Sequence, residues 1–367
     1  MYDEKENTAK KLCTKIAGIL GFIALCFLYG TSYGIAILGL KTYPGATLTA
    51  LRMIFAFVAS FLIFIGRITF EKKTRLNIQE SLRNHKIDML KSAFGGIMYY
   101  GFPHSLIGVA QRSIPSNTVH IAQSCVPFFA FIFANFMLQD EKFSFRKFYP
   151  QVLALIGTIL TTIPTRDSSY GEKTQPIDYV FVCVAIASFG FGSVYMKSHL
   201  AEVEPTLCGL FQLFGSVIYS VSFAIGYDKP SVFISSIRNT TSTSILWPLI
   251  LGAVHTCGCA YVYLYTVKIL GAVISSFSNF GQIVIGILIG IFFFDEWGSY
   301  VTSDYIMSGV GLFALTLAII CGFLGDREPK AGIKRDDSMV SLVSEQRDTD
   351  SAIPEYDAPG FNKPLLA

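Results

Sequence analysis

The sequence contains few charged residues. Lys, Arg, Asp and Glu make up 15% of its 367 residues, compared with about a quarter in a soluble globular protein. Apolar residues reach 52%, and the mean hydropathy is +0.50. This composition excludes a disordered chain, an ordinary cytosolic enzyme and a nucleic-acid-binding protein. The net charge of +3 is too small to indicate an anionic partner.

The sequence also lacks the motifs of an enzyme or a metal site. HExxH, GxSxG and Walker-type loops are absent, and the histidines are scattered over separate apolar segments. The eight cysteines do not follow a secreted disulfide framework, and Cys257 and Cys259 lack a second pair at zinc-ligand spacing. We therefore predict no catalytic residue, no cofactor, no metal and no enzymatic activity.

Long apolar runs dominate the chain instead. A membrane-spanning helix needs about 20 mostly apolar residues, and ten runs reach or nearly reach that length. The sequence therefore predicts an all-α integral membrane protein with ten transmembrane helices. The predicted spans are residues 18–40, 46–65, 89–110, 116–138, 148–164, 177–197, 206–227, 247–267, 272–294 and 304–324.

The distribution of lysine and arginine indicates the orientation. With the N-terminus in the cytoplasm, 22 of the 29 basic residues lie on cytoplasmic segments, as the positive-inside rule requires. Both termini are then cytoplasmic. We expect a multi-pass protein of the plasma membrane rather than of an internal membrane, because no retrieval motif is visible.

An N-glycosylation acceptor, Asn239-Thr240-Thr241, falls between the seventh and eighth predicted helices. This topology places that loop outside the cell or in a lumen, where Asn239 is a candidate glycosylation site. An unused acceptor sequence is the alternative.

The two halves of the chain resemble each other. Asp140–Glu141 and Asp295–Glu296 each end an apolar segment, and Gly157 and Gly311 follow in the next segments. A shift of 155 residues also superimposes the fourth predicted helix on the ninth. The sequence therefore predicts two five-helix repeats, and because five is odd, the second repeat must be inverted in the membrane. Inverted repeats around a central site are typical of secondary transporters.

The ten-helix frame carries further motifs in a fixed order. Pro44 and Arg52 open the second helix, Pro127 lies within the fourth, Asp140–Glu141 ends it, and Gly157 lies in the fifth. In this order they resemble the EamA-like family of the drug/metabolite transporter superfamily, over about residues 18–324. The resemblance implies transport of a small metabolite across a membrane through a central cavity.

The second half departs from that family's pattern at two places. Gly281-Gln282 stands where the pattern suggests proline, and Leu213 stands in the place of Arg52. Symmetric roles for these positions are therefore not expected.

The composition changes at the ends of the repeats. From Asp326 onwards the chain is polar and cannot bury a core, so we expect a disordered tail. The predicted organisation is a cytoplasmic N-terminal segment (1–17), a first EamA-like repeat (18–164), a linker (165–176), a second EamA-like repeat (177–324) and a disordered cytoplasmic tail (325–367).

Polar side chains within the predicted spans mark a candidate cavity. They recur at helical spacing on one face of the fourth helix and one face of the ninth, which the repeat makes equivalent. Hydrogen bonding between helices is the structural alternative. The predicted substrate-binding residues are Tyr100, His104, His120, Gln123, Ser124, His255, Tyr263, Ser275, Asn279 and Gln282.

No Asp or Glu lies well inside a predicted span. Proton coupling would therefore depend on His104, His120 or His255, because histidine titrates near physiological pH. Facilitated diffusion or exchange needs no buried carboxylate and is the simpler mechanism. Arg52, about six residues into the second helix, can reach the outer face. It can attract an anionic substrate or bind helix-end carbonyls, and we favour the structural role.

The sequence thus predicts a secondary transporter that moves a small organic metabolite by alternating access around a midplane cavity. A transporter-like receptor or scaffold without transport activity is the alternative. The expected partners are a small-molecule substrate and the lipid bilayer, without nucleic acid, and a homodimer is left open.

Overall fold

The computed structural model describes residues 2–84, 86–114, 116–138, 145–162, 175–200, 203–270, 278–294 and 301–325. Within these ranges the chain is helical and contains no strand. The predicted glycine motifs lie in this part, whereas both Asp-Glu pairs and nearly all of the predicted linker and tail lie outside it.

The described part of the first half contains eight α-helices and one π-helical segment, in which each turn holds about one extra residue. The helix α1 begins at Tyr2, so the charged residues before the first predicted span continue the helix instead of forming a separate segment. The elements are α1 (Tyr2–Leu40), α2 (Gly45–Phe70), α3 (Lys72–Asn84), α4 (Lys86–Gly96), π1 (Ile97–Gly101), α5 (Phe102–Ala110), α6 (Ser116–Gln123), α7 (Val126–Met137) and α8 (Phe145–Thr162).

The second half contains a similar series. Proline stands at the first position of both α9 and α10, where its fixed φ suits a helix start. The elements are α9 (Pro176–His199), α10 (Pro205–Tyr227), α11 (Pro230–Arg238), α12 (Leu246–Leu249), π2 (Ile250–Gly258), α13 (Cys259–Leu270), α14 (Ser278–Phe294) and α15 (Thr302–Gly325).

Among the residues that the structure describes, six helical stretches are long and apolar enough to cross a membrane by length and composition. Large apolar side chains lie exposed along them, for example Leu62 at 63% and Phe313 at 69%, as expected for surfaces that face lipid. The chain is therefore a multi-pass membrane protein. The six stretches are Thr14–Leu40, Gly45–Phe70, Pro176–His199, Pro205–Tyr227, Leu246–Tyr263 and Thr302–Cys321.

The fourth predicted span is broken into α6 and α7. Pro127 has no N–H to donate to the carbonyl of Gln123, one turn earlier, and turn residues Ser124 and Cys125 separate the two helices. The third and eighth predicted spans are continuous but contain π1 and π2. These interruptions lie where the predicted site residues are concentrated.

The bundle is built on close pairs of long helices. The helix α2 packs along α10, α1 along α14, α7 along α9, and α8 along α15. Gly157 of α8 faces Gly311 of α15, and a Cβ at either position would crowd the carbonyl oxygen of the other. The two glycines of the sequence motif therefore allow these helices to approach closely.

Candidate substrate site

Two of the predicted binding residues meet near the centre of the bundle. The Gln282 side chain of α14 donates a hydrogen bond from Nε2 to Oε1 of Gln123 in α6, at 2.8 Å. Gln123 in turn donates from Nε2 to the hydroxyl of Tyr33 in α1. All three side chains are buried. This polar triad, Tyr33–Gln123–Gln282, joins helices from both halves of the chain.

His120 lies beside the polar triad. Its ring stands edge-on to Tyr33, with centroids 4.8 Å apart, and it packs against Gly286 of α14, where a Cβ would lie 3.0 Å from the ring. His120 is only 3% exposed, and its Nδ1 has no hydrogen-bond partner among the described residues. The predicted faces of the fourth and ninth helices therefore do face each other.

A cluster of aromatic side chains lies next to this centre. The rings of Tyr99 and Tyr100 in π1 meet edge to face at 4.9 Å. Tyr29 is close enough to interact electrostatically with both, and Tyr263 with Tyr29 and Tyr99. All four side chains are partly accessible. We call these residues the tyrosine cluster; their rings and hydroxyls provide both apolar and hydrogen-bonding surface.

The other two intramembrane histidines are held by backbone carbonyls. His104 Nδ1 lies 2.8 Å from the carbonyl oxygen of Tyr100. His255 Nδ1 lies 3.2 Å from the carbonyl of Ile250, five residues earlier in π2, and its Nε2 lies 2.9 Å from the hydroxyl of Thr31. A carbonyl accepts only, so Nδ1 carries the proton in both rings.

Arg52 corrects the expectation of a side chain that reaches the outer face. It is only 6% exposed. Its Nε donates to the hydroxyl of Thr256 at 2.8 Å, and its Nη2 donates to the hydroxyl of Ser32 at 3.3 Å. The guanidinium therefore points into the bundle towards α1 and π2, and its partners are hydroxyls rather than helix-end carbonyls.

A small pocket of about 10 Å³ adjoins Arg52, roughly the space that one water molecule needs. It lies between α1, α2, α5 and π2. Its polar lining comes from Tyr33, Thr49, Arg52, His104 and Gln111. His104 connects this pocket to the tyrosine cluster through its bond to Tyr100.

The remaining predicted site residues are less informative. Ser124 is fully buried in the turn between α6 and α7, and Asn279 is partly exposed on α14. Ser275 lies outside the described residues. Sequence reasoning missed Gln111 as a site residue, because it follows the last helical residue of α5 and belongs to no periodic polar face.

Both ends of the α2–α10 pair carry polar contacts. At one end, the backbone N–H of Thr47 and its hydroxyl both donate to Oδ2 of Asp228, at 2.8 and 2.7 Å. Arg112 lies 3.7 Å from the other oxygen of the same carboxylate. We call this group the Asp228 clamp.

At the other end, Arg67 forms a salt bridge with Glu71 at 2.8 Å and lies 3.7 Å from Glu204. Arg67 also donates to the hydroxyl of Thr206. Hydrogen bonds from Arg67, then from Thr74, hold the pKa of the Glu71 carboxyl below its ordinary value. We call this group the Arg67 clamp.

The comparisons with known proteins agree with this architecture. Residues 16–163 match the EamA-like transporter family. This match confirms the resemblance to the drug/metabolite transporter superfamily for the first half of the chain. EamA-like proteins are membrane transporters, so the match indicates a transporter rather than an enzyme.

One solved structure, described only as "Crystal structure of protein", is similar in fold to most of this chain. It aligns with 85% of this chain and 96% of its own, at 18% identity and a TM-score of 0.57. At that identity the likeness concerns the fold alone. No curated protein matches the sequence at a significant level.

Proposed function

We propose that the chain is a secondary transporter that moves a small organic metabolite by alternating access. The observation that carries the proposal is the polar triad, which joins α1 and α6 of the first half to α14 of the second. Buried polar groups in a membrane bundle are costly and mark substrate paths. The family match supports transport but names no substrate.

The proposed architecture is two inverted five-helix repeats with ten membrane spans. Close contacts that correspond between the halves support it. A Cβ on Gly252 of π2 would overlap the backbone of Arg52 in α2, and a Cβ on Gly96 of α4 would overlap the backbone of Gln212 in α10. The contact of Gly252 with α2 therefore has a counterpart in the contact of Gly96 with α10. In this correspondence Gln212, rather than Leu213, takes the place of Arg52.

A second correspondence involves the helices that carry the triad. Gly30 of α1 packs against Ile285 of α14, and Gly190 of α9 packs against Ala130 of α7. A shift of 160 residues carries Gly30 to Gly190, and a shift of 155 carries Ala130 to Ile285. The 155-residue shift also carries π1 into π2, so a π-helical segment interrupts the equivalent helix in both halves.

In this mechanism the Asp228 clamp and the Arg67 clamp are the two gates, because each closes one end of the α2–α10 pair. The polar triad, the tyrosine cluster, His104, His120 and His255 would contact the metabolite between them. Proton coupling through those histidines is part of the proposal to be tested with a pH gradient. The predicted topology puts the Asp228 clamp and the exposed Asn239 on the outer side.

A counterflow assay tests the proposal. The full chain is reconstituted in liposomes loaded with metabolite pools, and labelled candidates are added outside. We expect accumulation that depends on a matching internal metabolite and is lost when Gln123 and Gln282 are both replaced by leucine. The matched control is Gln79→Leu, which replaces an exposed glutamine of α3 that is not part of the triad. Folded protein that exchanges nothing would support the receptor or scaffold alternative instead.

A further inference from the structure

Arg52 is a buried cation whose partners are all neutral. Its guanidinium donates to the hydroxyls of Ser32 and Thr256, and among the described residues no carboxylate lies within salt-bridge distance of it. A buried charge without a counter-ion is costly. The protein keeps this uncompensated positive charge next to a pocket, where a bound anion would neutralise it.

The pocket beside Arg52 offers further hydrogen-bond donors. Gln111 is 3% exposed, and its Nε2 has no partner among the described residues. The Tyr33 hydroxyl accepts from Gln123, and within the described part of the chain its own proton has no acceptor. The lining of this pocket contains neither Asp nor Glu. A pocket lined by donors and by no acid suits a ligand that only accepts hydrogen bonds, such as an oxyanion.

We infer that the transported metabolite carries a carboxylate, which Arg52, Gln111 and Tyr33 bind in this pocket. The inference rests on the proposed transport function and names its substrate class. One unpaired cation matches the single charge of a carboxylate better than the double charge of a phosphate ester. The pocket has room for about one water molecule, so the remainder of the metabolite would occupy the tyrosine cluster, which His104 links to the pocket.

Thermal unfolding of the purified full chain in detergent provides the binding test. The probes are acetate, lactate and benzoate, their uncharged amides, and methyl phosphate. We expect at least one carboxylate to raise the midpoint temperature while its amide does not. Arg52→Gln should weaken that carboxylate roughly tenfold to a hundredfold, the effect of losing a charged hydrogen bond.

Two further variants keep the test decisive if Arg52→Gln does not fold. Tyr33→Phe and Gln111→Leu each remove one donor and retain the charge, so each should weaken the same carboxylate severalfold. Arg238→Gln is the matched control, because it removes an exposed arginine at the end of α11. It should leave the response unchanged.

The outcomes separate this inference from the proposed function. Stabilisation by a carboxylate that depends on Arg52, without any exchange in liposomes, would contradict transport and support the binding site. Exchange of neutral metabolites that Arg52→Gln leaves intact would support transport and overturn the inference. A response to amides equal to that of the acids, a preference for methyl phosphate, or no response to any carboxylate would also overturn it.

Discussion

The two ends of the α2–α10 pair are closed by different chemistry. In the Asp228 clamp, a carboxylate with a 3% exposed side chain accepts two short hydrogen bonds at the N-terminus of α2, where the helix dipole also favours a negative charge. In the Arg67 clamp, Glu204 is also buried, but it accepts its short hydrogen bonds from Thr206 and Leu207 of its own helix. Of these residues, only Arg67, which is 35% exposed, joins the two helices at this end, so water competes with its ion pair to Glu204. The helices are therefore joined at the first end through a buried carboxylate, and at the second end through a partly exposed arginine.

This difference has a consequence for the proposed transport cycle. Exposed ion pairs contribute about 0–1 kcal/mol and are screened by salt, whereas a buried, fully bonded carboxylate is costly to separate from its donors. The Arg67 clamp should therefore open more easily than the Asp228 clamp. In the proposed mechanism and the predicted orientation, the protein without substrate would open more readily towards the cytoplasm.

The largest expected effect comes from Asp228→Ala. It removes the single carboxylate oxygen that accepts both hydrogen bonds of Thr47 and leaves the buried backbone N–H of that residue without its partner, which should lower the free energy of unfolding by about 2–3 kcal/mol. The measurement is thermal unfolding of the full chain in detergent. Loss no larger than that of Arg112→Gln would show that the two Thr47 bonds contribute little and that the clamps are alike.

A smaller effect is expected from Glu204→Gln. Glu204 accepts from the backbone N–H of Leu207 at 2.8 Å, a cap that the glutamine amide oxygen can partly retain, and it lies 3.7 Å from Arg67. We expect a loss of about 1 kcal/mol. The matched comparison is Asp228→Asn, which likewise replaces a carboxylate with an amide and should cost more, because that side chain is more deeply buried.

Salt dependence sharpens the comparison through two double-mutant cycles. The coupling between Arg67 and Glu204, measured with Arg67→Gln and Glu204→Gln, should be below about 1 kcal/mol and should decrease as salt increases. The coupling between Thr47 and Asp228, measured with Thr47→Ala and Asp228→Ala, should change little with salt. Equal salt dependence in the two cycles would contradict the distinction between the clamps.

The smallest effect concerns pH. The pKa of Glu71 is lowered, chiefly by its hydrogen bonds from Arg67, so the folded protein favours the ionised carboxylate. Its stabilising contribution is present above the ordinary pKa of glutamate and is lost as the pH falls through the lowered value. Glu71→Gln should remove this part of the acid dependence of the unfolding temperature. An unchanged acid profile would show that Arg67 stabilises Glu71 no more than water does.

The sequence predicted the parts of this structure that depend on local pattern. Pro44 and Pro205 mark the starts of α2 and α10, and the matching polar faces placed Gln123 and Gln282 on helices that meet. The prediction that these two helices meet needed only helical periodicity and the internal repeat. The resemblance to the EamA-like family was likewise predicted from motifs that follow one another in a fixed order along the chain.

Other parts could not be predicted because they depend on distant partners. Thr47 and Asp228 are 181 residues apart in the chain, and nothing local to either residue indicates the contact. The same holds for Arg52, whose partner Thr256 lies in π2. The π-helical segments are also invisible to an analysis of 3.6-residue periodicity, since a single wide turn leaves the surrounding pattern almost intact.

The π-helical segments π1 and π2 allow the helices that follow them to rotate and shift. Converting a π turn to an α turn passes one residue from the turn to the following helix, which rotates that helix by about 100° and shifts it by about 1.5 Å along its axis. Such a screw step in π1 would swing His104 away from Arg52, and a step in π2 would withdraw Thr256 from the same guanidinium. Each of the two segments could then change the surroundings of Arg52 without unfolding a helix.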